Sequence, residues 1–262
     1  MLRFGFWKDR THNLSRMSLA DLFAAFATYP SVHAYFGLAA VSLYFVYRWY
    51  AGWAPLAIAV GLSVLVYPLV WYVLHRWVLH SQFLYKSPLT AKVWKRIHFD
   101  HHQDPHNLVV LFGALYTTLP TIALVTMPIG YAVGGLPAAA MAFATGLLTT
   151  CFYEFCHCVQ HLNTSPKTAF MKRLKQLHMW HHFHNEQGNF GITNFLWDRL
   201  GKTYYSRANM VPKSPTVFNI GYTAEMAERY PWVAQLSNNT RGDGNPRRFR
   251  TGDGATDSNP TA

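Results

Sequence analysis

Residues 107–153 read NLVVLFGALYTTLPTIALVTMPIGYAVGGLPAAAMAFATGLLTTCFY and contain no charged side chain. One bilayer crossing takes about 20 apolar residues, so this run is long enough for two. The segments Pro128–Gly130 and Gly134–Pro137 combine proline with glycine, which predicts a turn between two helices. We therefore expect transmembrane helices at residues 107–129 and 136–160.

A second apolar block covers residues 34–74, where Arg48 is the only charged residue. A break near Ala51–Pro55 predicts two more spans, at residues 33–50 and 54–79. Charged residues make up 13% of the chain, against about a quarter in ordinary soluble domains. Helices buried in soluble proteins rarely stay uncharged for such lengths. The sequence thus predicts an all-α integral membrane protein with four transmembrane helices.

The basic residues predict the orientation. The formal net charge is +11, and every lysine and arginine except Arg48 lies before the first span, around the 80–106 loop or after the fourth span. Positive charge collects on the cytosolic side of membrane proteins. Because the basic residues flank apolar runs, they indicate an anionic leaflet and no nucleic-acid partner. We expect a multi-pass protein of the bacterial inner membrane or the endoplasmic reticulum, with its functional site on the cytosolic face.

Ten of the fourteen histidines fall into four clusters near the cytosolic ends of the second and fourth spans. Spacings of three and four place side chains on one helix face, so we expect each cluster to direct its imidazoles at one point. Without a metal, converging histidines would leave buried donors and acceptors unpaired. Ten ligands exceed the four of one tetrahedral zinc, which favours two ions. The clusters are His75 and His80; His98, His101 and His102; His157 and His161; and His178, His181 and His182.

The remaining polar candidates have supporting roles. We expect His12 and His33 to be ordinary histidines, and we leave the roles of His106 and His184 open. Nearby carboxylates are expected to accept the second N–H of ligating imidazoles and so fix the tautomer. They are Glu154, Asp100 and Asp198, with Asp104 and Glu186 also near. For Glu154 the alternative is an interfacial carboxylate that reaches water. The three cysteines, Cys151, Cys156 and Cys158, are expected to be small buried hydrophobes.

Several motifs together resemble the membrane fatty acid hydroxylase and sterol desaturase superfamily, over residues 65–205. Residues 74–80 (LHRWVLH) with 84–86 (LYK) are similar to its first motif, and residues 153–161 (YEFCHCVQH) to its third. Residues 177–183 (LHMWHHF), followed by 189–192 (NFGI) and 196–198 (LWD), are similar to its fourth. Within the superfamily, the sequence most resembles fatty acid 2-hydroxylases that act on sphingolipid acyl chains.

The resemblance implies a four-helix transmembrane base and a cytosolic helical cap that holds two metal ions on the ten clustered histidines. It implies O2-dependent oxidation of an unactivated C–H bond of a membrane lipid, with two iron ions; zinc in a purified sample would be a redox-silent substitute. The chain contains no His-Pro-Gly-Gly stretch of a fused cytochrome b5. Electrons are therefore expected from a separate cytochrome b5, or from a ferredoxin with its reductase.

The expected division of the chain follows from these elements. An N-terminal cytosolic or interfacial segment covers 1–30, four transmembrane helices with a ligand-bearing loop (81–106) cover 31–162, the cap covers 163–236 and a disordered tail covers 237–262. The predicted function is hydroxylation of a fatty acyl chain at C2. Alternatives within the superfamily are sterol, carotenoid or ornithine-lipid hydroxylation and lipid desaturation. An alternative of another class is a histidine-lined metal transporter, although transport favours ionisable groups at mid-membrane depth.

Overall fold

The computed structural model describes residues 12–237. Predictions for residues 1–11 and for the tail beyond Ser237 lie outside the described residues. Between 12 and 237 the chain is helical and forms no strand, and its isolated β-bridge joins Asn13 to Asn107. The predicted all-α class is confirmed.

The α-helices of the described part are numbered in chain order. They are α1 (Leu19–Ala27), α2 (Pro30–Arg48), α3 (Trp53–Val73), α4 (Pro88–Trp94), α5 (Asp100–Gln103), α6 (Leu108–Leu111), α7 (Leu115–His161), α8 (Ala169–Phe183), α9 (Leu196–Leu200), α10 (Ala224–Arg229) and α11 (Trp232–Leu236). Two π-helical segments, Leu74–Leu79 and Lys95–Phe99, follow α3 and α4. Short 3-10 turns occupy Leu14–Arg16, Leu84–Lys86 and Ala208–Met210.

Helix α7 is a hairpin of two antiparallel arms, an outgoing arm (residues 115–133) and a return arm (residues 136–161). The reversal lies at Gly134 (φ −162°, ψ 29°) and Gly135 (φ 67°, ψ −153°). The positive φ at Gly135 is a conformation that essentially only glycine adopts. The arms pack closely at Gly146. A Cβ added there would lie only 2.7 Å from Cγ2 of Ile122 on the other arm.

Helices α2 and α3 pack against this hairpin through apolar side chains and buried hydroxyl contacts. Tyr35 of α2 shares a hydrogen bond with Thr118 of the outgoing arm (2.7 Å). Tyr67 of α3 donates to Thr150 of the return arm (3.0 Å). These two pairs of buried hydroxyls are thus satisfied between helices, as an apolar environment favours.

Two helical runs of the described chain are long and apolar enough to cross a membrane, by length and composition. They are Trp53–Leu79 and Leu108–His161, each with a mean hydropathy of 2.1 over its most apolar window. Large apolar side chains on them face outward, among them Leu65 (72% exposed) and Leu124 (76% exposed). Such an outer surface suits lipid better than water.

Side-chain caps set the starts of two helices. Ser18 and Asp21 form a capping box that opens α1. Helix α8 begins at Ala169, where the Thr168 side chain accepts a hydrogen bond from the N–H of Met171. The outgoing arm of α7 continues past Pro128, where we predicted its end, and stops only at the glycine pair.

Candidate metal centre

The structure brings the ten clustered histidines together in two neighbouring groups of five. Within each group, one ring nitrogen per residue lies within 4.8 Å of all the others. The groups adjoin, since the ring centroids of His102 and His182 are 4.3 Å apart. The first group contains His75, His80, His98, His102 and His181, and the second contains His101, His157, His161, His178 and His182.

Each H-x2-H-H cluster divides its side chains between the two groups. His98 and His102 join the first group, whereas His101 joins the second; His178 and His182 join the second, whereas His181 joins the first. Adjacent residues on a helix point about 100° apart, so three such imidazoles cannot meet at one ion. This corrects our expectation that each cluster is directed at one point. Each group thus contains two histidines of one triplet and one histidine of the other triplet.

The first pair has a spacing of five, which an α-helix does not place on one face. Residues five apart in an α-helix point about 140° away from each other. Here the chain is π-helical from Leu74 to Leu79, and the N–H of His80 donates to the carbonyl of His75 (3.1 Å). The i→i+5 bond stacks His75 and His80, with ring centroids 4.9 Å apart. We expected this pair, like the pairs three or four residues apart, to lie on one face of a regular α-helix. That expectation was wrong, because the two residues share a face only in a π-helix.

Backbone carbonyls fix the tautomers of three histidines in the first group. The Nδ1 atom of His75 donates to the Phe190 carbonyl (2.6 Å), that of His181 to Gly188 (2.8 Å) and that of His102 to Val217 (3.1 Å). A carbonyl only accepts, so Nδ1 carries the proton and Nε2 keeps its lone pair. The three Nε2 atoms are buried and have no hydrogen-bond partner within the described chain. Lone pairs held in this way fit a metal ion.

In the second group, ring nitrogens meet at the separation expected of ligands on one ion. The Nε2 atom of His178 lies 3.0 Å from that of His157 and 2.9 Å from that of His161. Two imidazole nitrogens at right angles about 2.1 Å from an ion would be about 3.0 Å apart. Both ring nitrogens of His101 and of His182 are buried without a partner in the described chain. The donor set therefore fits a bound cation in this group as well.

Burial keeps these imidazoles neutral, which is the form that binds metals. It lowers the pKa of His102 to about 3, and the Val217 carbonyl opposes this only in part. Burial first and neighbouring imidazoles second lower the pKa of other members well below the usual value. These are His80, His98, His101, His178, His181 and His182.

The predicted carboxylates have partners other than imidazoles. Glu154 accepts hydrogen bonds from the N–H of Gly113 (3.0 Å) and the hydroxyl of Tyr35 (3.5 Å). Asp100 pairs with Lys95 (2.6 Å). Glu154 is 7% exposed, so the interfacial alternative does not describe it either. Backbone carbonyls accept the N–H of three imidazoles, because residues 188–190 and 217 pack against those rings. The predicted role of the carboxylates as imidazole partners was therefore wrong.

Asp198 binds backbone N–H groups near the histidines, and Glu186 binds side-chain hydroxyls. Asp198 accepts from the N–H groups of Phe190 (2.7 Å) and Gly191 (2.9 Å), so it holds the peptide whose carbonyl binds His75. Burial raises the pKa of Asp198, and these hydrogen bonds oppose that rise. Glu186 accepts from the hydroxyls of Ser214 (3.0 Å) and Thr216 (2.6 Å). Asp104 is exposed.

The remaining histidines and the cysteines stay outside both groups. His106 bonds through Nδ1 to the carbonyl of His161 (3.0 Å), and His184 bonds through Nε2 to that of Val211 (2.9 Å). His33 bonds to the Ala27 carbonyl (2.7 Å). The thiols of Cys151, Cys156 and Cys158 are free; Cys151 and Cys158 are buried and Cys156 is half-buried.

Sequence reasoning missed the carbonyl partners and the division of the triplets. The division of the triplets could have been predicted from the sequence, because adjacent histidines cannot point in one direction on a helix. The carbonyls of Gly188, Phe190 and Val217 carried no signal, since every residue has a carbonyl and only loop packing selects these three.

An aromatic cleft lies beside the first group, between α3, the return arm and the 190–198 segment. Its lining includes Trp71, Tyr72, Tyr153 and Phe190. Trp71 and Tyr153 stack with ring centroids 5.1 Å apart. The Phe190 ring is 5.4 Å from that of His75 and 5.5 Å from that of His181. The cleft is therefore rich in aromatic rings, and the Phe190 ring lies between it and the imidazoles.

Known proteins are similar to this chain in sequence and in architecture. The chain is 32% identical over 149 residues to a ceramide very long chain fatty acid hydroxylase of Saccharomyces cerevisiae, covering 54% of this chain and 36% of that one. It is 29% identical over 155 residues to a fatty acid 2-hydroxylase of Rattus norvegicus (55% and 39% covered). It is 31% identical over 147 residues to a dihydroceramide fatty acyl 2-hydroxylase of Arabidopsis thaliana (55% and 60% covered). The matched region thus spans between about a third and three fifths of these relatives.

The fold is similar to a solved structure of full-length Scs7p, in which only the hydroxylase domain is visible. The TM-score is 0.54 at 27% sequence identity, and the match covers 77% of this chain and 71% of that one. The family model named fatty acid hydroxylase matches residues 60–203, which include all ten clustered histidines. The chain belongs to the fatty acid hydroxylase family.

Proposed function

We propose that this chain is an integral membrane lipid hydroxylase that uses O2 and two iron ions to hydroxylate a fatty acyl chain. The observation that carries the proposal is the pair of adjoining five-imidazole groups with inward lone pairs. The names of the yeast, rat and plant relatives support an acyl substrate, and two of these names specify 2-hydroxylation. C2 is therefore the position that we propose.

In this proposal each group of five histidines holds one ion. Bound iron supplies the redox chemistry by which O2 oxidises an unactivated C–H bond, which zinc cannot supply. The carbonyls of Phe190, Gly188 and Val217 hold three imidazoles of the first group in the tautomer that leaves Nε2 free. Asp198 keeps the Phe190 carbonyl in place.

The aromatic cleft is the proposed seat of the acyl chain. Trp71 and Tyr153 lie on helices that face lipid, so a chain can enter from the bilayer without crossing water. Phe190 closes the inner end against His75 and His181. The head group then stays at the interface, and the distance from the head group to the ions selects the carbon.

We propose that α2, α3 and the two arms of α7 cross the bilayer, with the histidines on the cytosolic side. The distribution of lysine and arginine supports this orientation. Residues 1–30 then lie in the cytosol or at the interface, 31–162 form the membrane base with the 81–106 loop, and 163–236 form the cap.

The reaction needs an external reductant. Substrate C–H, O2, two electrons and two protons give substrate C–OH and water, so the reaction needs a donor of two electrons. We propose a cytochrome b5, or a ferredoxin with its reductase. Helix α8 carries Lys172, Arg173 and Lys175 and no acidic residue, which suits an acidic donor.

Lipid analysis of cells with and without the chain tests the proposal. We expect a +16 mass shift in one lipid class, with the added oxygen at C2 of the acyl chain. A loss of two hydrogens would instead indicate desaturation, and a shift in sterols or carotenoids would indicate another substrate of the superfamily. An unchanged lipid profile together with altered metal uptake would favour the transporter.

Single substitutions test the ligand assignment. We expect His157→Ala and His181→Ala each to abolish the product, because each removes a proposed ligand from a different group. His33→Ala is the matched control, since His33 lies outside both groups. Membrane insertion, measured by fractionation, should be unchanged in all three. Wild-type product from either ligand variant contradicts the assignment.

A further inference from the structure

One peptide group connects the side chains of Arg96 and Glu154, which lie near different histidine clusters along the chain. The Arg96 side chain donates through Nη2 to the Phe112 carbonyl (3.2 Å). The N–H of Gly113, which belongs to the same peptide group, donates to Oε1 of Glu154 (3.0 Å). The order is therefore guanidinium, carbonyl, N–H, carboxylate. We call this chain of contacts the brace.

The peptide group of the brace is oriented to suit both of its partners. Its carbonyl oxygen faces the guanidinium, so that hydrogen bond is charge-assisted, and its N–H faces an acceptor oxygen of the Glu154 carboxyl group. Arg96 and Glu154 form no direct ion pair within 4.0 Å in the described chain. The peptide group is thus the connection between them.

The surroundings leave the brace little freedom. Glu154 is 7% exposed, and a Cβ on residue 113 would lie 2.8 Å from its Oε1. Tyr35 also reaches Oε1 (3.5 Å) and shares a hydrogen bond with Thr118 (2.7 Å). A second buried atom on each side, Nη1 of Arg96 and Oε2 of Glu154, has no partner within residues 12–237. A change in the position of this peptide would therefore disturb α2 and α7 together.

The brace joins the elements that supply both histidine groups. Arg96 precedes His98 by two residues on the second π-helical segment. Glu154 precedes His157 by three residues on the return arm. His101 extends from the loop to the second group, where its ring centroid is 4.7 Å from that of His157. The position of the loop relative to the return arm therefore decides whether His101 can complete the second group.

We propose that Arg96 and Glu154 are positioning residues. They hold the helical segment with His98, His101 and His102 against the return arm through the Phe112–Gly113 peptide. This inference rests on the proposed function, in that it takes both groups to bind metal. Neither side chain contacts a clustered imidazole in the described hydrogen-bond network, so their effect passes through the backbone.

Binding and release of Co²⁺ by the purified full chain test the brace. We expect Arg96→Met and Glu154→Leu to release one of two bound Co²⁺ ions to a chelator at least about tenfold faster, as for other supporting partners of metal ligands. Glu154→Gln keeps an oxygen acceptor and should change the rate less. Because both residues act through one peptide, the double variant should release Co²⁺ no faster than the faster single variant.

The control is Arg229→Met, which removes an arginine whose guanidinium lies over the Tyr230 ring (5.5 Å to the centroid) and takes no part in the brace. It should release Co²⁺ at the wild-type rate. A merely stabilising brace would lower the unfolding temperature of the metal-free variants and leave their release rates unchanged, which would overturn the proposal. If Glu154→Leu does not fold, the Co²⁺ release rates of Arg96→Met and Glu154→Gln test the proposal. Failure of the wild type to bind two Co²⁺ ions would refute the proposed function instead.

Discussion

Asp198 affects the candidate metal centre through the backbone. Its carboxylate accepts two N–H groups, of Phe190 and Gly191, and the hydroxyl of Thr203 (2.9 Å). The Phe190 carbonyl in turn fixes the tautomer of His75. A residue with no imidazole contact thus determines which nitrogen of His75 is available.

Asp198→Asn should lower the free energy of unfolding by about 1–3 kcal/mol. The amide replaces one acceptor oxygen and leaves a buried N–H without its partner. Asp104→Asn, at an exposed site, should change it by less than about 0.5 kcal/mol. Denaturant unfolding in detergent measures both. Equal stability of the two variants would show that the Asp198 hydrogen bonds contribute nothing.

At the scale of elements, departures from regular α-helix form the site. The π-helical segment Leu74–Leu79 places two histidines five residues apart on one face. The glycine pair at the tip of α7 lets the return arm bring His157 and His161 back to the level of α3. Regular helices alone would leave these imidazoles apart.

Gly135→Ala should destabilise the protein by about 1–3 kcal/mol, because alanine strongly disfavours φ 67° with ψ −153°. Gly61→Ala is the matched control. Gly61 lies within α3 with nothing within 4 Å of an added Cβ, so alanine there should be neutral or stabilising by up to about 1 kcal/mol. Unfolding by a denaturing detergent compares the two variants. An undisturbed Gly135→Ala protein would mean that the hairpin tip is not constrained.

At the scale of the whole molecule, metal binding and folding should be coupled. Several buried ring nitrogens have no protein partner within residues 12–237. Burying such atoms unpaired is unfavourable, and a cation that uses their lone pairs removes the penalty. Both groups combine histidines from the loop, α8 and one of the long helices. A bound ion therefore ties these elements together.

Removing the metal should lower the unfolding temperature, and adding it back should restore it. An ion at 100 times its dissociation constant stabilises the folded state by about 2.7 kcal/mol per site. Elemental analysis should find two ions per chain before chelation, and thermal unfolding should be followed with and without chelator. An unfolding temperature independent of metal would contradict this coupling.

Properties that depend on local pattern could be predicted from the order of the residues alone. Uncharged runs predicted long apolar helices, and histidine spacing identified the residues that converge. These inferences hold because hydropathy and helical periodicity are read within a few residues.

The division of the histidines into two groups, and the partners that hold them, depend on how the folded chain packs. The first group draws on residues from His75 to His181, and its Nδ1 partners lie on segments far along the chain. The union of Arg96 with Glu154 likewise depends on a peptide in a loop. No local pattern specifies such pairs, because a backbone carbonyl is the same at every position and becomes a partner only where packing brings it to a ring.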